Sequence, residues 1–203
     1  MKEKAQGSKQ EPKEKRVTTE IDDYSAEFIH GLQFENFSKE GLIKLAKAWS
    51  LYLLILHWGW REVVNERHGF EEEFQCWLQA WLKAGPRAAE RMAKMMNIPE
   101  RNVIGYFKEL QLDPTFPMYR FKHTFEIKNP NLGYITVQRC PALDVWEKEG
   151  NTELIQRCCH ELEPPTFTRT GSYFHPNLKC IALKLPPRQS PDEIACQWEV
   201  RID

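Results

Sequence analysis

The stretch YRFKHTFEIKNPNLGYITV, residues 119–137, breaks the periodicity of everything before it. Tyr119, Phe121, His123, Phe125 and Ile127 alternate with charged or polar residues, which is the two-residue period of a half-buried strand. NPNLG is a turn, and Tyr134 to Val137 reads as the strand returning beside the first. Upstream, from Tyr24 to about Leu112, apolar residues recur at three- and four-residue steps instead. Ser38 stands as an N-cap ahead of Leu42, Leu45, Trp49, Leu53, Leu56, Trp60 and Val64, one stripe of a long helix that Gly69 ends. A second helix runs from about Phe70 to near Ala84. Gly85-Pro86 then marks a break or kink, with a restart through Ala88, Met92 and Met96. Pro99 opens a shorter helix that stops before Asp113-Pro114.

Beyond the hairpin, Pro141 opens a helix over Ala142 to Glu149 that Gly150 closes, and a helical stretch from Thr152 to Cys159 leads to Pro164-Pro165. Strands are expected around Phe167 to Phe174, Leu178 to Leu185 and Ala195 to Ile202, the last two separated by PPRQSPDE. The pattern is α+β: an N-terminal helical hairpin followed by an antiparallel sheet with one or two short helices. Residues 23–203 read as one domain, with a helical part to 112 and a sheet part from 117. The charged run MKEKAQGSKQEPKEKR places residues 1–22 in a disordered tail.

The 203 residues are 41% hydrophobic and 28% charged, with a net charge of -1, so no overall basic field draws nucleic acid or acidic lipid. The tail has no apolar run behind its charges and is not a signal segment. In LIKLAKAWSLYLLILHWGW, residues 42–60, Lys44 and Lys47 leave an uncharged part well short of the ~18–20 residues a spanning helix needs. We read it as a core helix of a cytoplasmic protein, a compartment in which stable disulfides are uncommon.

Five of the six cysteines fall in the second half: Cys140, Cys158, Cys159, Cys180 and Cys196. Cys140 lies between a strand and a helix, and Cys158 and Cys159 end a helical segment. Cys180 and Cys196 sit on consecutive strands that antiparallel pairing could bring together. Thiolates converging this way suit a tetrahedral zinc or iron site, although no CxxC knuckle is present. Core thiols and disulfides are the competing readings. Of Cys158 and Cys159, only one is expected as a ligand, because neighbouring side chains diverge. Cys76, among Phe74, Trp77 and Leu78, reads as core.

Three segments carry a family resemblance: RCPALDVWEKEG (139–150), RCCHEL (157–162) and HPNLKCIALKLPPRQSPDEIACQW (175–198), with LQLDP before the first strand. Together they resemble an uncharacterised prokaryotic family that is similar to 2-amino-thiazoline-4-carboxylic acid hydrolase-like proteins and, more distantly, to the 4-vinyl reductase domain. The resemblance implies a zinc held by Cys140, Cys159 (or Cys158), Cys180 and Cys196. A glutamate of the family pattern is replaced here by Asn177. An iron–sulfur cluster on the same residues is the alternative cofactor.

Beside these residues, His160 and Glu161 are candidates for moving a proton, or are simply solvated at a helix end. His57 and His123 read as core or boundary residues with a pocket-facing alternative, and His175 as a turn residue. Arg139 and Arg157 are the candidate clamps for a substrate carboxylate. Glu71, Glu72 and Glu73 suit the first turn of a helix. No GxGxxG, Walker loop, HExxH or GxSxG occurs. Two functions follow as expectations. One is a small-molecule-binding protein with a largely structural zinc and an apolar cavity lined by residues such as Trp60, Trp81, Phe125 and Trp198. The other is a metal-assisted hydrolase opening a heterocyclic C–N or C–S bond. Neither nucleic acid nor membrane is an expected partner, and a homodimer is left open.

Overall fold

In the computed structural model, residues 20–117 and 119–203 are described. The tail expected over residues 1–22 lies outside them except for Glu20, Ile21 and Asp22. The chain divides into two compact units, one up to Tyr52 and one from Leu53 to Asp203. In the first, Ile21 forms an isolated parallel bridge with Phe37, and a 3-10 turn spans Phe34–Asn36. Ser38 caps helix α1 (Lys39–His68) as its sequence position suggests: its Oγ accepts from the Gly41 N–H at 3.0 Å.

The second unit begins inside α1 and carries the α+β architecture. Gly69, at φ 84°, makes the tight reversal into helix α2 (Phe70–Met95), which completes the helical hairpin. Two features of these helices differ from expectation. The apolar run of α1 is not a core helix along its length, because Leu51, Tyr52, Ile55 and Leu56 are exposed. Helix α2 runs unbroken through Gly85-Pro86. Gly85 serves packing rather than termination, since a Cβ there would overlap the Thr170 side chain of a helix laid against it.

Helix α3 (Val103–Leu110) is capped by Asn102, whose side chain accepts from the N–H groups of Ile104 and Gly105. Strands β1 (Lys122–Asn129) and β2 (Leu132–Arg139) form the hairpin read from the alternation, followed by α4 (Pro141–Glu149) and α5 (Thr152–Gln156). A π-helical turn, Arg157–Leu162, then leads directly into α6 (Glu163–Gly171). The strand expected from Phe167 to Phe174 is therefore a helix up to Gly171. Alternating threonines at 166, 168 and 170 imitate a strand period, but Pro164 and Pro165 occupy a helix's first turn, where their missing N–H groups cost least.

Strands β3 (Leu178–Lys184) and β4 (Cys196–Ile202) complete an antiparallel sheet of order β1-β2-β4-β3. One face carries Ile135, Val137, Trp198, Val200 and Leu178, all buried beneath the helices. Gly133, in β2, lies directly under the Phe107 ring of α3, where a Cβ would clash. No helix among the described residues is long and apolar enough to cross a membrane.

Candidate functional site

Between the inner face of the sheet and the surrounding helices, the second unit encloses a cavity of about 600 Å³. Indoles make much of its wall: Trp58 from α1, Trp77 and Trp81 from α2, Trp146 from α4 and Trp198 from β4. Helical spacing puts Trp77 and Trp81 on one face of α2, and strand parity puts Trp198 on the inner face of β4. Of the four residues expected to line a cavity, Trp81 and Trp198 do so, while Trp60 and Phe125 lie outside the lining.

His57 also lines this wall, within ring contact of Trp58, Trp60, Trp77 and Trp81. Burial, helped by the positive Arg61 nearby, pushes its imidazole down to about 4, so it is neutral at physiological pH. Behind the wall, the Arg61 guanidinium stacks on Trp77 at 3.4 Å and on Trp58 at 4.4 Å and pairs with Glu73.

The lining also has a polar, sulfur-bearing part. Cys140, Cys158, Cys159, Cys196 and Glu163 all belong to it. The π-helical turn explains part of this gathering. A helix wound with i to i+5 bonds brings residues five apart onto one face. The Glu163 N–H accordingly bonds the Cys158 carbonyl, and the Cys158 thiol sits 3.9 Å from Glu163 Oε1 as a weak donor. An α-helical continuation would have driven the Pro164 ring against the His160 carbonyl, and the wider turn relieves that clash.

The groups here interact electrostatically. Burial and the charges of Cys159 and Glu163 push the Cys140 thiol up to about 11. Cys158 is raised by its bond to Cys159 and by burial, and Cys196 by burial above all. The Trp198 indole N–H donates to Cys196 Sγ at 3.2 Å. Cys140, Cys158 and Cys196 are thus protonated at neutral pH rather than poised as thiolates.

Cys180 is not part of this group. The register sets it opposite Val200, whereas Cys196 pairs with Val137, so the two cysteines lie four residues apart along the ladder, about 13 Å. Cys180 packs elsewhere, its N–H on Thr168 Oγ1 and its thiol against the Tyr106 hydroxyl, with burial raising it to about 12. Among the described residues, no three His, Cys, Asp or Glu side chains are grouped so as to hold a metal ion. Of the set Cys140, Cys159, Cys180 and Cys196, the fold thus brings Cys140, Cys159 and Cys196 to one cavity lining and leaves Cys180 outside it. Cys76 is half-buried, on α2.

The expected proton carriers, His160 and Glu161, are not in the cavity lining. His160 Nε2 hydrogen-bonds the Pro186 carbonyl at 2.7 Å, and Glu161 pairs with Arg157. Arg157 lies over Phe74 and also meets Glu71, while Arg139 pairs with Asp144. The permanently basic residue of the lining is instead Arg120. Sequence reasoning missed Glu163 altogether. The available signal was its i+4 spacing from Cys159 ahead of two prolines, a position where a helix must either begin or distort.

Glu163 is half-buried and lines the cavity. Burial, reinforced by the charge of Asp113, raises its carboxyl to about 7 against the opposing bond from Cys158. Asp113, also in the lining, is itself raised by burial although Thr115 N and Oγ1 donate to it at 2.6 and 2.7 Å. A wall of indoles that includes a half-buried carboxyl can hold an apolar body and recognise one polar group.

No protein-family model, curated protein or solved structure matches this chain.

Proposed function

We propose that this protein binds a small, largely apolar molecule in the cavity of its second unit. The supporting observation is the cavity itself: about 600 Å³, walled by indoles, with Glu163 and four thiols in the lining. That volume is within the usual range for ligand pockets, and a few polar groups set into apolar walls are what fix a ligand's orientation. The thiols belong to the wall as small polarisable groups.

The test is binding of a neutral aromatic probe, 2-naphthylmethanol, followed by calorimetry and by the thermal midpoint. Saturable binding with a raised midpoint is expected. Ala142→Phe, which projects a ring into the lining from the first turn of α4, should abolish binding while leaving the protein folded. Failure of the wild-type protein to bind, or undiminished binding by the filled variant, would overturn the reading.

A further inference from the structure

We infer that the cavity selects a cationic ligand, an organic ammonium or amidinium with an aromatic or aliphatic body, and that Glu163 is its anionic partner. The inference rests on the cavity's being a ligand site and names the chemistry that the site takes. Its basis is an unanswered charge.

Among the described residues, Glu163 has no basic partner. Its hydrogen-bond donor within the protein is the Cys158 thiol at 3.9 Å, a weak one. The charge that acts on it most directly is the like charge of Asp113. Arg120 also lines the cavity but forms no ion pair with Glu163. Glu62, Asp113 and Glu149 join Glu163 in the lining, so acids outnumber the single Arg120. A carboxyl enclosed in apolar surroundings without a counter-charge is costly, and proteins retain such groups where something binds them.

The walls favour the same sign of charge. An indole face carries negative potential and attracts a cation within about 6 Å of the ring centre, most strongly where water is excluded. This protein already uses that interaction one layer back, where Arg61 lies between Trp58 and Trp77. On the cavity side, Trp81, Trp146 and Trp198 present further aromatic surface. An organic cation needs one carboxylate and apolar walls. Those are the features present.

The probes are three molecules of nearly equal size: 2-naphthylmethylammonium, 2-naphthylmethanol and 2-naphthoate, each titrated calorimetrically into the full chain at about pH 8, above the ordinary carboxylate range. The ammonium should bind about tenfold or more tightly than the alcohol, and the carboxylate more weakly than either. Glu163→Gln should bring the ammonium down to about the level of the alcohol, with circular dichroism and an unchanged cooperative unfolding transition showing that the variant is folded. Equal binding of ammonium and alcohol by the wild-type protein overturns the inference and leaves the cavity reading standing. A preference for naphthoate overturns it in favour of Arg120. A preference for the ammonium that survives Glu163→Gln overturns the role given to Glu163. If none of the three binds, the cavity reading fails as well.

Discussion

Removing the Arg61 guanidinium tests the packing behind the cavity wall most directly. Arg61 is 5% exposed and Glu73 2%, and they pair across the α1–α2 hairpin with the guanidinium held between two indoles. In Arg61→Met the carboxyl stays buried with no counter-charge. Its least costly response is to take a proton. For an ordinary glutamate of pKa ~4.3, that costs about 3.7 kcal/mol at pH 7, at ~1.36 kcal/mol per unit. Lost stacking on the indoles adds about 1 kcal/mol, partly offset by the apolar packing of methionine. The expected loss is thus roughly 3–5 kcal/mol at pH 7, the scale seen when one member of a buried pair is removed. At pH 5 the proton costs only about 1 kcal/mol, so the loss should shrink by more than half. Urea unfolding of the wild type, Arg61→Met, Glu73→Met and the double variant at both pH values closes the cycle. The double variant should recover most of the stability, because two apolar residues of similar length leave no orphaned charge. A loss below about 1 kcal/mol at pH 7, or one that does not shrink at pH 5, would refute the reasoning.

Stability should also fall as pH rises from about 6.5 to 8. Burial lifts Glu109 to about 8 and Glu163 to about 7, so over this window the folded state holds protons that the unfolded chain has already released, and each carboxyl titrating there removes up to ~1.4 kcal/mol per pH unit. His57, depressed to about 4, acts in the opposite sense but only below its unfolded pKa of ~6.5, so it does not confuse this window. Glu109→Gln should flatten the slope, as chemical unfolding at several pH values would show. Arg188→Ala should cost about 2–4 kcal/mol, because the side chain is 2% exposed and fastens the loop before β4 to Asp144 and Glu147 on α4; an unchanged denaturation midpoint would contradict that clamp. Gly85→Ala should destabilise by about 1–3 kcal/mol through its overlap with Thr170, with partial recovery in Gly85→Ala/Thr170→Ala. Under native conditions, Cys140, Cys158, Cys180 and Cys196 should resist alkylation near neutral pH until the chain is unfolded, which peptide mass mapping would reveal.

Local periodicity was legible wherever a segment had one buried face. The hairpin of β1 and β2, the Ser38 cap and the Pro141 start of α4 all depend on neighbours within a few residues, and the sequence displays them. Gly85-Pro86 and the threonines of α6 misled for a shared reason. In each case a tertiary contact, α6 lying against α2, decides between two locally acceptable conformations. The cysteines were legible as a gathering at 140, 159 and 196, but Cys180 was not separable from them by spacing. Whether two strand residues adjoin depends on register. A pairing that sets Cys180 against Val200 carries Cys196 two rungs further along the same face.

Glu163 shows why the remainder could not be read. Its position in the cavity depends on a π-helical turn, and no simple hydrophobic period announces one. The cause is nonetheless local: Pro164 and Pro165 cannot supply N–H groups to the preceding turn, and an α-helical winding would press the Pro164 ring against the His160 carbonyl. Widening the turn shifts the phase of every side chain after it. The shift sets Glu163 over Cys158, its residue five places back, and in the cavity wall, while His160 and Glu161 face Pro186 and Arg157 instead. The change in helical phase therefore places Glu163 in the cavity lining and leaves out the two residues that the sequence offered as chemistry. Departures from regular winding are tolerated where another gain offsets them. Here the gain is a half-buried carboxyl set in an aromatic cavity with a weak thiol donor and no paired cation among the described residues, intelligible as half of an interaction with a ligand.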